Sequence, residues 1–471
     1  ITLSTELTAL PAYLFYGSSQ LSSISGIENV TSFGAYCFAG TGFTGFTFPS
    51  GVTAIPAGLF AGCESLAAFE IPANITSIGN GAFAGCPQLA LTVASSNTNF
   101  KVEDGFLYNY AKTKILGVIS VGAELEIPAN TEIDSNVFAG MTFTKVTIND
   151  GVTIGENAFK NATITTLDIK DSVKIGASAF EETTTTTISI GDSVQITGSS
   201  AFKKSTVATL TIGTGLTGTW SVYYTFQYCT SLTSITLGTG CDLRDNMFDG
   251  CTSLSTVSLP ESTTLQGYVF KGCTELTSVT IEKNCTFSGY SGYTFQGCTK
   301  LNSVEFKDGC TIESSHGNVF NGCTSLNSVT IGNNCTFKGG NTFKGCTSLA
   351  NVTLGTTFKV TGSYVFSGCT ALESITIKTG STLSYAVFQG CTNLNSITLE
   401  TGCTLGTRAF AECPIKSISI PAGTTISSYA YPFRGWTAEQ TINFLAKESE
   451  YTLGYGWNSY CDATINWPSE E

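Results

Sequence analysis

Cysteine is the residue in this chain with the greatest potential for chemistry. The 471 residues include 18 cysteines and one histidine, His316. Thiolates act as nucleophiles, bind metal ions or pair as disulfides. Catalysis or zinc binding would need a histidine partner or a C-x-x-C pair, and the sequence contains no such pair. We therefore expect no metal site and no thiol-based catalysis.

Most of the cysteines follow a phenylalanine by three residues. Where cysteine is missing, the position holds Ser18, Thr41, Ala162, Thr183 or Ser205. A position that accepts these residues is predicted to require a small buried side chain. The cysteines of this first column are Cys63, Cys86, Cys229, Cys251, Cys273, Cys298, Cys323, Cys346, Cys369, Cys391 and Cys413.

A second column of cysteines lies 12 residues after a first-column cysteine. In other repeats this position holds Val152, Val173, Val194 or Leu216, so the thiol replaces a hydrophobic side chain. We favour free thiols in both columns, but disulfides between neighbouring repeats stay open because stacked turns can bring Cα atoms within bonding range. The second column consists of Cys241, Cys285, Cys310, Cys335 and Cys403.

Other catalytic motifs are weak. His316 lies in a Ser-Ser-His-Gly segment that predicts a solvated loop, and Gly213-Thr-Gly215-Leu-Thr-Gly218 matches a dinucleotide fingerprint without the helix and acidic residue it needs. Carboxylates for glycoside chemistry are expected to lie many repeats apart. We therefore predict a protein that is not an enzyme and holds no cofactor. The carboxylates are Glu70, Glu126, Asp168 and Glu305.

Charge and hydropathy exclude several partners. Only 12% of residues are charged and the net charge is -13, which disfavours nucleic acid and anionic membranes. No run of 18 apolar residues predicts membrane insertion. The chain starts at Ile1 without a readable signal peptide, and we expect any leader or anchor to have been removed. Possible N-glycosylation sites are Asn29, Asn74, Asn161, Asn284, Asn334 and Asn351.

A repeat must position these side chains. One unit reads Phe-x-Gly-Cys-Thr-x-Leu-x-x-Val-x-Ile, as in Phe270–Ile281, and its phenylalanine anchors are spaced 21 to 25 residues apart except for one gap. This period predicts a mainly β repeat solenoid, a right-handed coil in which each turn buries its apolar side against the next. The Val-x-Ile segments should form one parallel β-sheet face, with Gly-rich turns and short helical segments opposite.

The spacing of the phenylalanine anchors divides one continuous domain into four segments. Residues 1–93 and 125–433 are predicted to be leucine-rich repeats. Residues 94–124 are predicted to be an inserted β-hairpin around Asp104-Gly105, and residues 434–471 a C-terminal cap rich in tryptophan.

The Phe-x-Gly-Cys-Thr-x-Leu-x-Ser-Val-Thr-Ile units, such as Phe295–Phe306, resemble the BspA-like branch of leucine-rich repeat proteins. The insertion from Asn99 to Tyr108 also resembles one found in that family. The repeats at Phe159, Phe180 and Phe202 depart from the pattern because they lack the Gly-Cys pair. The resemblance implies an extracellular or cell-surface location and adhesion or host-protein binding, and it supplies no ligand residues.

The outward positions of the predicted strands suggest a binding face, because repeat proteins present extended surfaces to partners. We predict an adhesin-like interaction module that binds a protein or glycan, with host extracellular matrix as a candidate. A purely structural role of these hydroxyls in strand propensity and solubility stays open, as do a self-associating filament or sheath subunit and ice binding. A stripe of tyrosines two residues before the anchors, at Tyr224, Tyr268, Tyr293 and Tyr364, is expected either to pack on the adjacent coil or to bind a partner. The predicted partner-binding residues are Ser278, Thr280, Ser303, Glu305, Ser328, Thr330, Asn351 and Thr353.

Overall fold

A computed structural model describes residues 1–119, 121–219, 221–289, 291–313 and 317–468. The predicted loop at His316 lies outside these residues. The chain forms two compact units, the first made of residues 1–210 and 218–222, the second of residues 211–217 and 223–471.

Both units repeat the same β-coil. In the repeat that starts at Phe320, the anchor lies in a turn, a long strand follows at Ser328–Ile331, and a short strand follows at Thr336–Phe337. Equivalent strands of successive repeats pair in parallel, so the predicted mainly β solenoid with a parallel sheet face is confirmed. The side opposite the long strands differs from the prediction, because turns and two-residue strands replace the expected helical segments. Across the described residues, the one helix is a 3-10 turn at Glu448–Glu450.

The strands of the first unit fall into three groups. The long strands are Ala68–Ile71, Ala90–Val93, Glu124–Ile127, Thr142–Ile148, Thr163–Ile169 and Thr184–Ile190. The short strands are Ala9–Leu10, Ser32–Phe33, Ala54–Ile55, Ser77–Ile78, Glu132–Ile133, Thr153–Ile154, Lys174–Ile175 and Gln195–Ile196. The inserted strands are Phe100–Glu103, Phe106–Asn109 and Lys114–Val118. Two more strands, Thr209–Ile212 and Thr217–Gly218, flank the Gly213-Thr214-Gly215 turn.

The second unit has the same two series. Its long strands are Ser234–Leu237, Thr256–Leu259, Ser278–Ile281, Ser303–Phe306, Ser328–Ile331, Asn351–Leu354, Ser374–Ile377, Ser396–Leu399, Ser417–Ile420, Thr441–Phe444 and Thr464–Asn466. Its short strands are Asp242–Leu243, Thr264–Leu265, Thr286–Phe287, Thr311–Ile312, Thr336–Phe337, Lys359–Val360, Thr382–Leu383, Thr404–Leu405, Thr425–Ile426 and Thr452–Leu453, and they pair in this order in one sheet.

The phenylalanine anchors form the centre of the core. Phe159 is fully buried, and its ring stacks on those of Phe138 and Phe180 at centroid distances of 4.7 and 5.0 Å. Phe180 and Phe202 stack at 4.9 Å, so the repeats without a Gly-Cys pair pack as tightly as the others. Each ring therefore fills the space left by the neighbouring turns, which a single coil could not do.

Residues 100–118 interrupt the stack with antiparallel strands. Phe100–Glu103 pairs with Phe106–Asn109 across a turn in which Asp104 and Gly105 have φ values of 50° and 82°. Positive φ at both central residues is the geometry that an Asp-Gly pair adopts in a two-residue hairpin. The Phe106–Asn109 strand then pairs with Lys114–Val118. Lys114–Val118 joins the parallel series of short strands beside Glu132–Ile133.

The segment predicted as a C-terminal cap continues the coil. Thr441–Phe444 and Thr464–Asn466 extend a parallel sheet from Ser417–Ile420. The Trp467 ring stacks on Phe444 at 3.9 Å and is partly exposed. The aromatic residues of this segment therefore cover the apolar side of its turns.

Candidate interaction surface

The long strands of the second unit bring the eight predicted partner-binding residues together in two parallel columns. Strand register aligns Ser278, Ser303, Ser328 and Asn351 in one column, and Thr280, Glu305, Thr330 and Thr353 in the other. We call these eight residues the hydroxyl face. Since neighbouring parallel strands lie about 4.8 Å apart, the face offers a polar group at that interval.

Alternation along each strand separates this face from the core. Val279, Val304 and Val329 are at most 2% exposed and point to the phenylalanine side. The residues of the hydroxyl face are half-buried or exposed. Short side chains on a paired strand have little conformational freedom to lose, so the face is preorganised for contact.

The hydroxyl face carries one charged residue. The Glu305 carboxylate accepts a hydrogen bond from Lys307 Nζ at 2.5 Å, and this bond raises the pKa of the Lys307 ammonium. Asn351 Nδ2 donates to Asn327 Oδ1 at 3.1 Å. The remaining hydroxyls make the face a neutral array of donors and acceptors, which suits a polar uncharged ligand.

The first unit presents a different, charged long-strand face. Glu126 and Asp168 lie on either side of Thr147 in register, so the expectation that these carboxylates lie many repeats apart is wrong for this pair. Two strand spacings place their Cα atoms roughly 10 Å apart, close to the upper limit of the carboxyl separations in inverting glycosidases. Each has its own partner, because Asn149 donates to Glu126 at 3.0 Å and Lys170 to Asp168 at 2.6 Å.

All 18 cysteines are free thiols in the structure, and the first column has a regular hydrogen-bond partner. The thiol of Cys298 lies 3.2 Å from the carbonyl oxygen of Phe270, the anchor of the preceding repeat. Burial raises the pKa of Cys323 to about 12. The same contact, at 3.1 to 3.6 Å, is made by Cys63, Cys86, Cys251, Cys273, Cys298, Cys323, Cys346, Cys369, Cys391 and Cys413.

Three residues that replace cysteine in this column keep the contact. Thr183 Oγ1 donates to the Phe159 carbonyl at 3.3 Å, and Ser205 Oγ donates to the Phe180 carbonyl at 3.0 Å. Trp436 follows its anchor by three residues and donates Nε1–H to the Phe410 carbonyl at 3.0 Å. The sequence suggested only a small buried residue. The structure adds that the position favours a hydrogen-bond donor, with Met141 and Ala162 as exceptions.

The second cysteine column also faces backbone carbonyls. Cys285 Sγ lies 3.2 Å from the Pro260 oxygen, and Cys335 Sγ lies 3.3 Å from the Lys307 oxygen. Cys310 Sγ lies 3.2 Å from the Glu282 oxygen, and its interaction with the thiols of Cys285 and Cys335 raises the pKa of Cys310 and lowers theirs. Over the part of the chain that the structure describes, no group of three histidine, cysteine or acidic residues is arranged to hold a metal ion.

The tyrosine stripe has a conformational cause that the sequence did not reveal. Tyr268, Tyr293 and Tyr364 have φ values of 57° to 65°, in the left-handed region, as does Asn318 at the same position of another repeat. Asparagine tolerates this region well, whereas tyrosine needs support from its surroundings. Tyr268 and Tyr293 stack at 5.7 Å, which favours packing between coils as the main role of the stripe.

The six glycosylation motifs lie in different environments. Asn74 is half-buried, and its Nδ2 donates to backbone carbonyls of Ser50 and Val52. Asn161 is exposed, and no side-chain hydrogen bond is formed by it within the described residues. Asn29, Asn284, Asn334 and Asn351 are exposed, and each makes one side-chain hydrogen bond.

Comparison with known proteins identifies the repeat. The BspA type leucine rich repeat region, in 6 copies, matches residues 1–112, 123–221, 219–338 and 313–434. No curated protein matches the chain. Among the described residues, no helix has the length and apolar character needed to cross a membrane.

Solved structures with similarity to the chain come from bacterial leucine-rich repeat proteins. One from Bacteroides ovatus is 23% identical over 74% of this chain and 97% of its own, with a TM-score of 0.39. One from Eubacterium ventriosum is 20% identical over 83% of this chain and 75% of its own, with a TM-score of 0.29. A leucine rich cell surface protein from Faecalibacterium prausnitzii is 20% identical over 65% of this chain and 78% of its own, with a TM-score of 0.26. Since the repeat pattern itself matches most of the sequence, the chain belongs to the family of BspA-type leucine-rich repeat proteins.

Proposed function

We propose that this protein is a cell-surface or secreted interaction module of adhesin type, which binds a protein or glycan on the hydroxyl face. The observation that carries the proposal is the in-register alignment of the eight residues on the outward side of the long strands. Membership of a repeat family supports a role in interaction, because such solenoids use their extended sheet surfaces for binding.

The chemistry of the face limits the ligand. A partner whose own hydroxyls or amides repeat at a few ångströms can bond to successive strands, as a glycan chain or an extended peptide does. The single Glu305–Lys307 pair gives little net attraction to a charged ligand. We expect binding that is insensitive to salt, in contrast to binding driven by charge.

The test places bulk and charge on the face. Thr280→Lys, Thr330→Lys and Thr353→Lys are combined in one variant, and binding to immobilised fibronectin, collagen and a glycan array is measured. The matched control is Thr147→Lys with Thr166→Lys, which changes outward threonines on the long strands of the first unit. Loss of binding in the first variant alone supports the proposal. Equal binding by both variants refutes it.

The remaining predictions have their own assays. A filament or sheath subunit would form higher-mass species with rising concentration in light scattering. Ice binding through the hydroxyl array would appear as thermal hysteresis. If the chain passes through a glycosylating secretory pathway, we propose Asn161 as the first site to be modified and Asn74 as the least modified, because a glycan on Asn74 would displace the side-chain bonds to Ser50 and Val52.

A further inference from the structure

A hydrogen-bond ladder links the anchor turns of successive repeats. The N–H of Phe60 donates to the carbonyl of Ala82 at 2.9 Å, and the N–H of Gly62 donates to Ala84 at 2.7 Å. In most repeats the anchor and the residue two positions later are the donors; Phe388 and Gly390 in the second unit are exceptions. The residues directly before and after the next anchor are the acceptors. Each such turn therefore presents donors on one side and acceptors on the other.

This ladder is broken at one place in the first unit. In the described parts of the chain, the N–H groups of Phe83 and Gly85 have no hydrogen-bond acceptor, and the carbonyls of Val137 and Ala139 have no donor. The four groups belong to the two anchor turns that flank the inserted hairpin. The ladder resumes beyond them, where Phe138 N–H donates at 2.7 Å to the next repeat.

The insertion explains the break. The strand Lys114–Val118 adds one level to the series of short strands before Glu132–Ile133, but no anchor turn accompanies it. At this place the stack of anchor turns therefore has one turn fewer than the series of short strands has strands. The flanking turns still meet at their beginnings, where the side-chain amide of Asn80 lies beside Ser135 Oγ and donates to the Asp134 carboxylate at 3.1 Å. They separate further along, and the space between them is a cavity.

We call this cavity the missing-turn cleft. Its volume is about 380 Å³, within the range of sites that hold ligands. Apolar groups dominate its wall, while the unpaired amides and carbonyls mark its two sides. Its lining includes Phe83, Gly85, Leu116, Val137, Ala139 and Met141.

We propose that the missing-turn cleft binds a peptide segment of another protein that contains an aromatic-x-Gly sequence, which replaces the absent anchor turn. The carbonyls before and after the aromatic residue accept from Phe83 and Gly85. The N–H groups of the aromatic residue and the glycine donate to Val137 and Ala139. The aromatic ring packs on the apolar wall. A small apolar molecule would fill the wall but leave the four backbone groups unpaired, which is costly away from water.

The probe is a labelled hexapeptide, acetyl-Gly-Leu-Phe-Ala-Gly-Ser-amide, which copies residues 58–62 and ends in serine. Fluorescence anisotropy measures its binding to the full chain. A peptide with alanine in place of phenylalanine tests the ring. A peptide N-methylated at phenylalanine and glycine tests the two donors, and we expect it to bind roughly tenfold more weakly or worse.

Protein variants locate the site. Ala139→Trp and, independently, Leu116→Trp fill the cleft and should abolish binding. Ala61→Trp is the matched control, because Ala61 has the same place in an anchor turn whose ladder is intact on both sides. Thermal unfolding establishes that each variant is folded. Unchanged binding by both cleft variants, or equal binding of the N-methylated peptide, would overturn the proposal. The lysine variant of the hydroxyl face should bind the peptide normally, so this proposal and the proposed function fail separately.

Discussion

Removal of one ring from the phenylalanine stack should cost much of the stability of the first unit. Phe159 is fully buried between Phe138 and Phe180, at centroid distances of 4.7 and 5.0 Å. Phe159→Ala removes that buried area and leaves a cavity that the adjacent turns cannot close, because their backbone ladders hold them at a fixed spacing. We expect a loss of about 3 to 5 kcal/mol in the free energy of unfolding.

Phe15→Ala is the matched comparison in the same unit. Phe15 is half-buried and stacks on one ring, that of Phe38, at 5.8 Å. Part of its surface is already in water, so its removal should cost only about 1 to 2 kcal/mol. Both substitutions delete the same atoms. The difference between the two losses of unfolding free energy therefore measures the effect of the second stacked ring and of the deeper burial at Phe159.

Urea unfolding followed by circular dichroism measures both losses. Hydrogen exchange of peptides from each repeat is measured in parallel, because stacked repeats can unfold in parts and then a single free energy is not defined. In Phe159→Ala, the backbone amides of the turns that contain Phe138 and Phe180 should both exchange faster than in the unmodified protein. If Phe159→Ala costs no more than Phe15→Ala, the stacked rings are not the main stabilising contact and the reasoning is wrong.

Three further outcomes test other features of the fold. At pH 8, iodoacetamide should label the half-buried Cys461 before Cys251 and Cys273. Burial raises the pKa of Cys251 and Cys273 well above the usual thiol value, so little thiolate forms at either residue. Peptide mass spectrometry measures the order of labelling. Trp436→Phe removes the donor to the Phe410 carbonyl, and urea unfolding should show a loss of about 1 to 3 kcal/mol. Gly322→Ala should lower the free energy of unfolding by about 1 kcal/mol, because Gly322 has a φ of 75° and an added Cβ would meet no atom within 4 Å. Gly322→Asn should cost less if backbone conformation is the cause, since asparagine tolerates positive φ.

The sequence predicted the elements whose pattern is repeated and long enough to read. The Val-x-Ile alternation located the long strands, and the anchor spacing located the stacked rings at Phe159 and Phe180. Two-residue strands such as Thr336–Phe337 carry no readable period, so their parallel series was missed. The positive φ of Tyr268 was missed because tyrosine is an unusual residue in that conformation.

The arrangement of the proposed binding residues could be predicted only as far as strand register follows from repeat spacing. Ser278 and Ser303 were correctly expected to share a column, because both precede an alternating Val-x-Ile or Val-x-Phe segment at the same offset. The missing-turn cleft could not be predicted. The gap between Phe83 and Phe138 is visible in the sequence, but whether the insertion adds a full turn or only a strand depends on how its strands pair.

A regular solenoid leaves few backbone groups for a ligand, because each turn satisfies the donors and acceptors of its neighbours. Recognition on such a stack must then come from outward side chains, as on the hydroxyl face, or from a place where the stack is interrupted. The inserted hairpin creates an interruption of this kind, since it leaves the amides of Phe83 and Gly85 and the carbonyls of Val137 and Ala139 unpaired. A ligand that completes the ladder binds the folded chain and not the unfolded one, so it adds stability on binding. The peptide that fits the missing-turn cleft should therefore raise the unfolding temperature of the first unit, while a ligand of the hydroxyl face should act on the second. Hydrogen exchange in the presence of each ligand distinguishes the two effects. If a ligand of the hydroxyl face protected the turns that contain Phe83 and Phe138, the two sites would not be independent and the argument would be contradicted.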